Sequence, residues 1–283
     1  MKKTLILFAI VTMLFGCKGV DMGRLGENMG LDPDIAKGLG YANRAAVAML
    51  PISDEEERTL GRAVAGQVIA RFGVEKNANR TYYLNLVGNA VVRHSDRPHL
   101  GYRFAILATD DVNAYACPGG YIFVTRGAMN MVHDESELAA VLAHEVSHVT
   151  ERHIIKELQK SRLAQVGVDA AREAFKTQGP LFDQMTKFAT DSLFNGLKRE
   201  DEYASDAKGT VYLDRVGYDY PAMLDVLSLL KERSRAGHAS VLTRTHPTAD
   251  SRIQELRTVS PTLGLHNPTS NRLKARFDRL NQS

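Results

Sequence analysis

Five consecutive residues, His144-Glu145-Val146-Ser147-His148, have the types and spacing that a hydrolytic metal centre needs. They lie in a run whose apolar positions, Leu138, Val141, Leu142, Val146 and Val149, recur with helical period. On a helix, residues i and i+4 share a face, with Cβ atoms about 5–6 Å apart. Two imidazoles so placed can bind one Zn²⁺, and the glutamate beside the first can act as general base for an attacking water. Two solvated histidines and a surface glutamate would read the same way, so the pentapeptide alone does not decide. A catalytic zinc wants three protein ligands and an open position. Residues 199–206 offer a third: Glu202 and Asp206 are again i and i+4, so one helical face carries two carboxylates. One can ligate the metal, and the other can accept the Nδ1–H of a ligating imidazole and fix its tautomer. An isolated acidic face would be read as solvated; with the histidine helix upstream, the metal reading is the stronger.

These groups need elements to position them. Ser53 with Glu56 three residues on is a capping box, opening a helix that runs to about Phe72. A second helix covers about residues 79–94. Residues 102–107 alternate as a strand, and residues 113–116 and 121–125 are two more around Pro118-Gly119-Gly120. The histidine helix begins near Asp134, with Glu137 completing a cap. Residues 154–198 read as helical with a break at Gly179-Pro180, and the helix carrying Glu202 ends near Gly217. Helices over 221–236 and 247–259 each have proline at the N-terminal turn. The pattern predicts an α+β, mostly helical domain over residues 53–262, with a small sheet beside the histidine helix. Residues 263–283 read as a C-terminal tail.

The chain has 283 residues, 44% hydrophobic, enough for one sizeable core. Its formal charge of +3 includes Lys2 and Lys3, and nothing in it suggests a nucleic-acid partner. Lys2 and Lys3 precede a short apolar run ending in Gly16-Cys17, which reads as a signal peptide over residues 1–16. Leu14-Phe15-Gly16-Cys17 resembles a lipobox, which would make Cys17 the lipidated first residue of a tether over 17–52; plain secretory cleavage is the alternative. Lys18 in place of an aspartate points to the outer rather than the inner membrane. Two cysteines make no disulfide framework, and Cys117 reads as a small buried hydrophobe.

Four segments together are similar to one family. They are 143–149 with Arg152-His153, 199–207, 113–124, and Thr245-His246-Pro247 with Arg252 following. In this order they resemble the zinc metallopeptidases of the HtpX and CAAX prenyl-protease type, in their exported lipoprotein branch. Cys117, where the family has an apolar residue, and Tyr203-Ala204-Ser205 depart from the pattern. The resemblance implies a gluzincin-type fold and one Zn²⁺ per chain, held by His144, His148 and Glu202, with Asp206 orienting an imidazole. It implies Glu145 as general base, and His246 over the metal, either covering it or stabilising the oxyanion, with Arg252 beside it in the catalytic set. It makes Asn113, Ala114, Tyr115, Ala116, Gly119 and Gly120 a substrate-binding edge, though an ordinary core hairpin explains the segment alone as well. The expected function is a zinc endopeptidase facing the periplasm, acting on misfolded or misassembled envelope polypeptides. An assembly factor with a covered zinc site is the alternative from another class. Purely structural zinc would leave Glu145 without a role. Oligomeric state is not legible.

The anchor can be tested directly. Cys17→Ala should block lipidation and leave either an uncleaved precursor or a mislocalised protein, since stable anchoring needs several acyl chains. The readouts are fractionation and intact mass; soluble wild-type protein without lipid mass would refute the lipobox.

Overall fold

Ser53 opens the first helix by the device its sequence announces. Its hydroxyl accepts the Glu56 N–H at 3.2 Å, and the Glu56 carboxylate accepts the Ser53 N–H at 2.8 Å. The computed structural model describes residues 28, 30, 32–34, 52–161, 168–236, 248–266 and 272–281. The expectations placed on Cys17 and His246, and on nearly all of the tether, lie outside them.

Helix α1 spans Asp54–Phe72 and α2 spans Ala78–Arg93, the latter capped by Asn77. Strands β1 (Arg103–Leu107), β2 (Ala114–Cys117) and β3 (Tyr121–Thr125) form one sheet in the order β1-β3-β2. β1 runs parallel to β3 and β2 antiparallel to it, which leaves β2 at an edge. After α3 (Arg126–Met131) comes α4 (Glu135–Thr150), the helix of the histidine pair. Asp134 caps it by accepting the Glu137 N–H at 2.9 Å, while the Glu137 carboxylate takes the N–H of His133. Then follow α5 (His153–Lys160), α6 (Val168–Thr177), α7 (Pro180–Asn195) and α8 (Arg199–Val216). α8 stops at Gly217, whose φ of 87° suits a residue without Cβ. α9 (Ala222–Arg235), α10 (Ala249–Val259) and α11 (Lys274–Asn281) complete the order.

The chain divides into two units, residues 1–52 with 157–185, and residues 53–156 with 186–283. In the first, Phe175 and Phe182 meet edge to face with centroids 5.8 Å apart. The second contains one continuous core: Leu138, Leu142 and Val146 of α4 join Leu84 and Val91 of α2, Ile106 and Ile122 of the sheet, and Tyr212 and Leu213 of α8. Among the described residues, no helix is long and apolar enough to cross a membrane.

Buried carboxylates tie down both ends of α4. At its start, fully buried Glu135 accepts Tyr83 Oη at 2.8 Å and Tyr218 Oη at 2.7 Å and pairs with Arg276. Burial and that carboxylate push both phenols' pKa values up, so both stay protonated donors. At its end, buried Glu57 of α1 accepts Arg97 Nη2 at 2.9 Å and Gly119 N–H at 3.0 Å and pairs with Arg152 at 3.0 Å. Arg97 Nη1 also donates to the Val149 carbonyl at 2.9 Å, one of the last in the helix. Each carboxylate is surrounded by donors, which is what a buried charge requires.

The last helix was not anticipated. Where the sequence reads as a tail, α11 packs Phe277 into the core at 4% exposure. Arg272 just before it reaches Asp134 at 2.8 Å, Asp219 at 3.0 Å and Asp225 at 2.7 Å. Phe277→Ala should therefore cost about 3–5 kcal/mol, the usual range for an emptied phenylalanine site. Urea denaturation measures it, and a change within about 0.5 kcal/mol, the usual scatter of surface substitutions, would place α11 outside the folded core.

Candidate metal and active site

α8 crosses α4 so closely that a side chain would not fit between them. A Cβ on Gly209 would lie 3.1 Å from the backbone of Ala143 and His144 and 2.8 Å from Met223 Cε. This approach carries the acidic face of α8 to the imidazole face of α4. His144 Nε2 and His148 Nε2 stand 3.0 Å apart, and Glu202 Oε2 and Oε1 lie 3.4 and 3.5 Å from them respectively. These three buried side chains are the group among the described residues that could hold a metal ion, with ligand atoms within 4.8 Å of one another. Tetrahedral bonds of about 2.0–2.2 Å separate ligand atoms by about 3.3–3.6 Å. The observed triangle is close to that, so the donor set fits a metal ion.

Asp206 stands one turn beyond Glu202. Its Oδ1 is 2.9 Å from His144 Nδ1, the nitrogen facing away from the triangle. A proton on Nδ1 leaves the Nε2 lone pair for the metal. Arg252 of α10 grips Asp206 with a fork, Nε to Oδ2 at 2.8 Å and Nη2 to Oδ1 at 2.6 Å, and its Nη1 is 3.4 Å from Glu202 Oε2. Burial alone would raise the Asp206 pKa, but Arg252 and His144 outweigh it and hold the carboxyl below its usual range. Burial and Arg252 both oppose charge on His144, yet Asp206 and Glu202 prevail and raise its pKa to about 9. The site attracts positive charge even against those two opposing influences.

Glu145 is outside the triangle and lines two pockets that flank it. One is lined by apolar Val141, Val226, Leu227 and Leu230, with His144 and Arg252 at its polar end. The other brings Leu193 and Leu197 near His148 and β2. Phe194, between those leucines in sequence, meets Tyr115 edge to face at 5.6 Å and lies under Arg71 at 4.5 Å.

Asn113 and Ala114 line the first pocket, and Ala114, Tyr115 and Ala116 the second. Gly119 and Gly120 are elsewhere. A Cβ on Gly119 would lie 2.5 Å from Arg58 Cα, and one on Gly120 3.2 Å from the Tyr102 ring. The close approach these glycines permit is made by the chain's own α1 and Tyr102. Cys117 is fully buried, which pushes its thiol pKa up and keeps it protonated. Sequence reasoning gave no role to three groups near the ligands. Gly209 reads as a mere weak point in a helix, His153 belongs to the family pattern but has no metal-ligand spacing, and Asp201 is one acid among several.

A model of the peptidase family M48 matches residues 78–260. The chain is similar to the beta-barrel assembly-enhancing protease of Yersinia pestis, 28% identical over 241 residues, covering 82% of this chain and 49% of that protein. It is similar to metalloprotease LoiP of Escherichia coli, 24% identical over 260 residues, covering 89% and 94%. It is also similar to the mitochondrial metalloendopeptidase OMA1 of Schizosaccharomyces pombe, 24% identical over 223 residues, covering 77% and 65%. The chain spans half or less of the beta-barrel assembly-enhancing proteases it matches.

The geometry ranks the acids of α8. Glu202→Ala should remove bound metal, Asp206→Asn should weaken binding by about 10–100-fold, and exposed Glu200→Ala should leave it intact. Metal content per chain by mass spectrometry checks the order; retention in Glu202→Ala with loss in Glu200→Ala would assign the wrong carboxylate.

Proposed function

The chain belongs to peptidase family M48, and from that membership and the geometry of its site we propose a zinc-dependent endopeptidase of the bacterial cell envelope. The observation that carries this reading is the convergence of His144, His148 and Glu202 beside a glutamate that is not part of the triangle. Two imidazoles and one carboxylate with an open fourth position are a donor set suited to catalytic zinc. Bound there, zinc supplies Lewis-acid chemistry, an acidified water and a polarised carbonyl. The chain's own residues do the rest. Glu145, placed between the two pockets, takes the proton of the attacking water on its carboxylate and returns it to the leaving amine nitrogen. Asp206 keeps the proton of His144 on Nδ1, and Arg252 holds Asp206 to that task.

β2 supplies a place for the peptide. Thr125 N–H donates to the Asn113 carbonyl at 3.0 Å. Because antiparallel rungs alternate, Tyr115 then faces β3 with its backbone, and Ala114 and Ala116 turn theirs away from β3. The Ala114 N–H is taken by Asn113 Oδ1 at 2.9 Å. Ala116 and the Ala114 carbonyl remain as the edge on which an extended substrate could add a strand. The role carried to Gly119 and Gly120 is confined to shaping the turn, and that of His246 stays an expectation over the metal. The names of the relatives join proteolysis to β-barrel assembly, which supports misassembled envelope proteins as substrates; a membrane anchor at Cys17 rests on the resemblance of residues 14–17 to a lipobox.

A second reading is an assembly factor with a covered site. The burial of Glu145, His144 and His148, each at 5–6% exposure, favours it. One experiment separates the two. Zinc-loaded wild-type protein should cleave casein, and Glu145→Gln should keep its zinc while losing about 10²–10⁴-fold in turnover. Undiminished cleavage by the loaded variant would refute the mechanism. Zinc-loaded wild-type protein that leaves casein intact would favour the assembly factor.

A further inference from the structure

The two ligand imidazoles are supported by different chemistry. His144 has the carboxylate of Asp206 at its Nδ1. At His148 the corresponding position is taken by another imidazole: His153 Nδ1 lies 2.9 Å from His148 Nδ1, and Ser205 Oγ lies 3.2 Å from it. The His148 and His153 rings meet at 71° with centroids 5.1 Å apart, and His153 is 3% exposed. Beyond it, His153 Nε2 faces Asp201 Oδ1 at 3.5 Å.

Proton bookkeeping settles the direction of this chain. His148 Nε2 points into the ligand triangle, so a metal there needs its lone pair and the ring proton must sit on Nδ1. Two nitrogens 2.9 Å apart cannot both donate. His153 must then accept on Nδ1 and keep its own proton on Nε2, the atom turned to Asp201. Asp201, His153 and His148 form a series in which each group sets the tautomer of the next.

We propose that His153 is a positioning residue for the metal site, fixing the tautomer and ring orientation of His148 by accepting its Nδ1–H, with Asp201 orienting His153 in turn. The proposal rests on the metal reading above and deepens it. His144 is backed by a charged acceptor and His148 by a neutral one, so the two ligands are unequal. The loop after α4 has a purpose in this arrangement: Arg152 adopts φ 57°, a left-handed conformation uncommon without glycine, and the chain then starts α5 at His153.

The test measures zinc affinity of the full chain by chelator competition, together with proton–nitrogen NMR of the imidazoles. His153→Phe should weaken zinc binding by about 10–100-fold and expose the His148 Nδ1–H to exchange. His153→Asn, whose side-chain carbonyl can accept from a similar position, should restore most of both. Ser205→Ala should lose less than His153→Phe. Wild-type affinity in His153→Phe, a His148 Nδ1–H that stays protected there, or a larger loss from Ser205→Ala would overturn the proposal while leaving the metal site standing. Wild-type protein that binds no zinc would overturn both. Should His153→Phe fail to fold by circular dichroism, Asp201→Ala decides: weaker binding than in Glu200→Ala supports the series, and equal binding overturns it.

Discussion

Three carboxylates, Glu145, Glu202 and Asp206, are buried together, and among the described residues the guanidinium that meets them is Arg252. Taking charge out of water costs several kcal/mol per ion unless it is matched. Arg252 forks onto Asp206, and its Nη1 reaches Glu202 at 3.4 Å. Against burial and Arg252, the same two carboxylates raise the His144 pKa to about 9, so the cluster favours positive charge at that ring. A divalent cation held by His144, His148 and Glu202 would face the same acids.

Such a cluster of buried charge can be sustained only if its groups cannot drift apart. The glycine crossing of α4 and α8 sets their separation, and Glu57 and Glu135 fix the two ends of α4. Both anchors are long-range, since Glu57 lies on the first helix of the domain and Glu135 is joined by Arg276 from the last. A misplacement of about 1 Å can cost a hundredfold in rate, so helices far apart in sequence are required to place a pair of imidazoles four residues apart.

How much of this was legible follows from the range of each interaction. Local devices were read correctly: the capping box at Ser53 and Glu56, the cap at Asp134, the stop at Gly217. Their partners lie within four residues, so the sequence prints both. The ligand triangle was legible because two i, i+4 pairs and a family pattern agreed. α11 was not, because its one buried side chain, Phe277, shows no periodicity and its polar holds, such as Arg272 and Arg276 on acids and Asn281 on Arg80, reach more than forty residues along the chain. The expected strand over 113–116 is shifted by one, to Ala114–Cys117, because the Asn113 N–H goes to the Thr125 hydroxyl instead of a β3 carbonyl. His153 stands in the family pattern without a role attached to it, and only the fold brings it against His148.

The pockets beside Glu145 bear on what the proposed enzyme would select. A backbone edge such as β2 recognises extended main chain and ignores side-chain identity. Val141, Val226, Leu227 and Leu230 line the neighbouring pocket, so the substrate side chain that suits it is an apolar one. Extended backbone and a free apolar side chain are the two features that a folded protein hides, the first in its hydrogen-bonded elements and the second in its core. Selection for unfolded polypeptide by the proposed enzyme would then need no sequence motif. It would follow from an edge that pairs with a strand lacking other partners, beside a pocket matched to a side chain with no core to occupy.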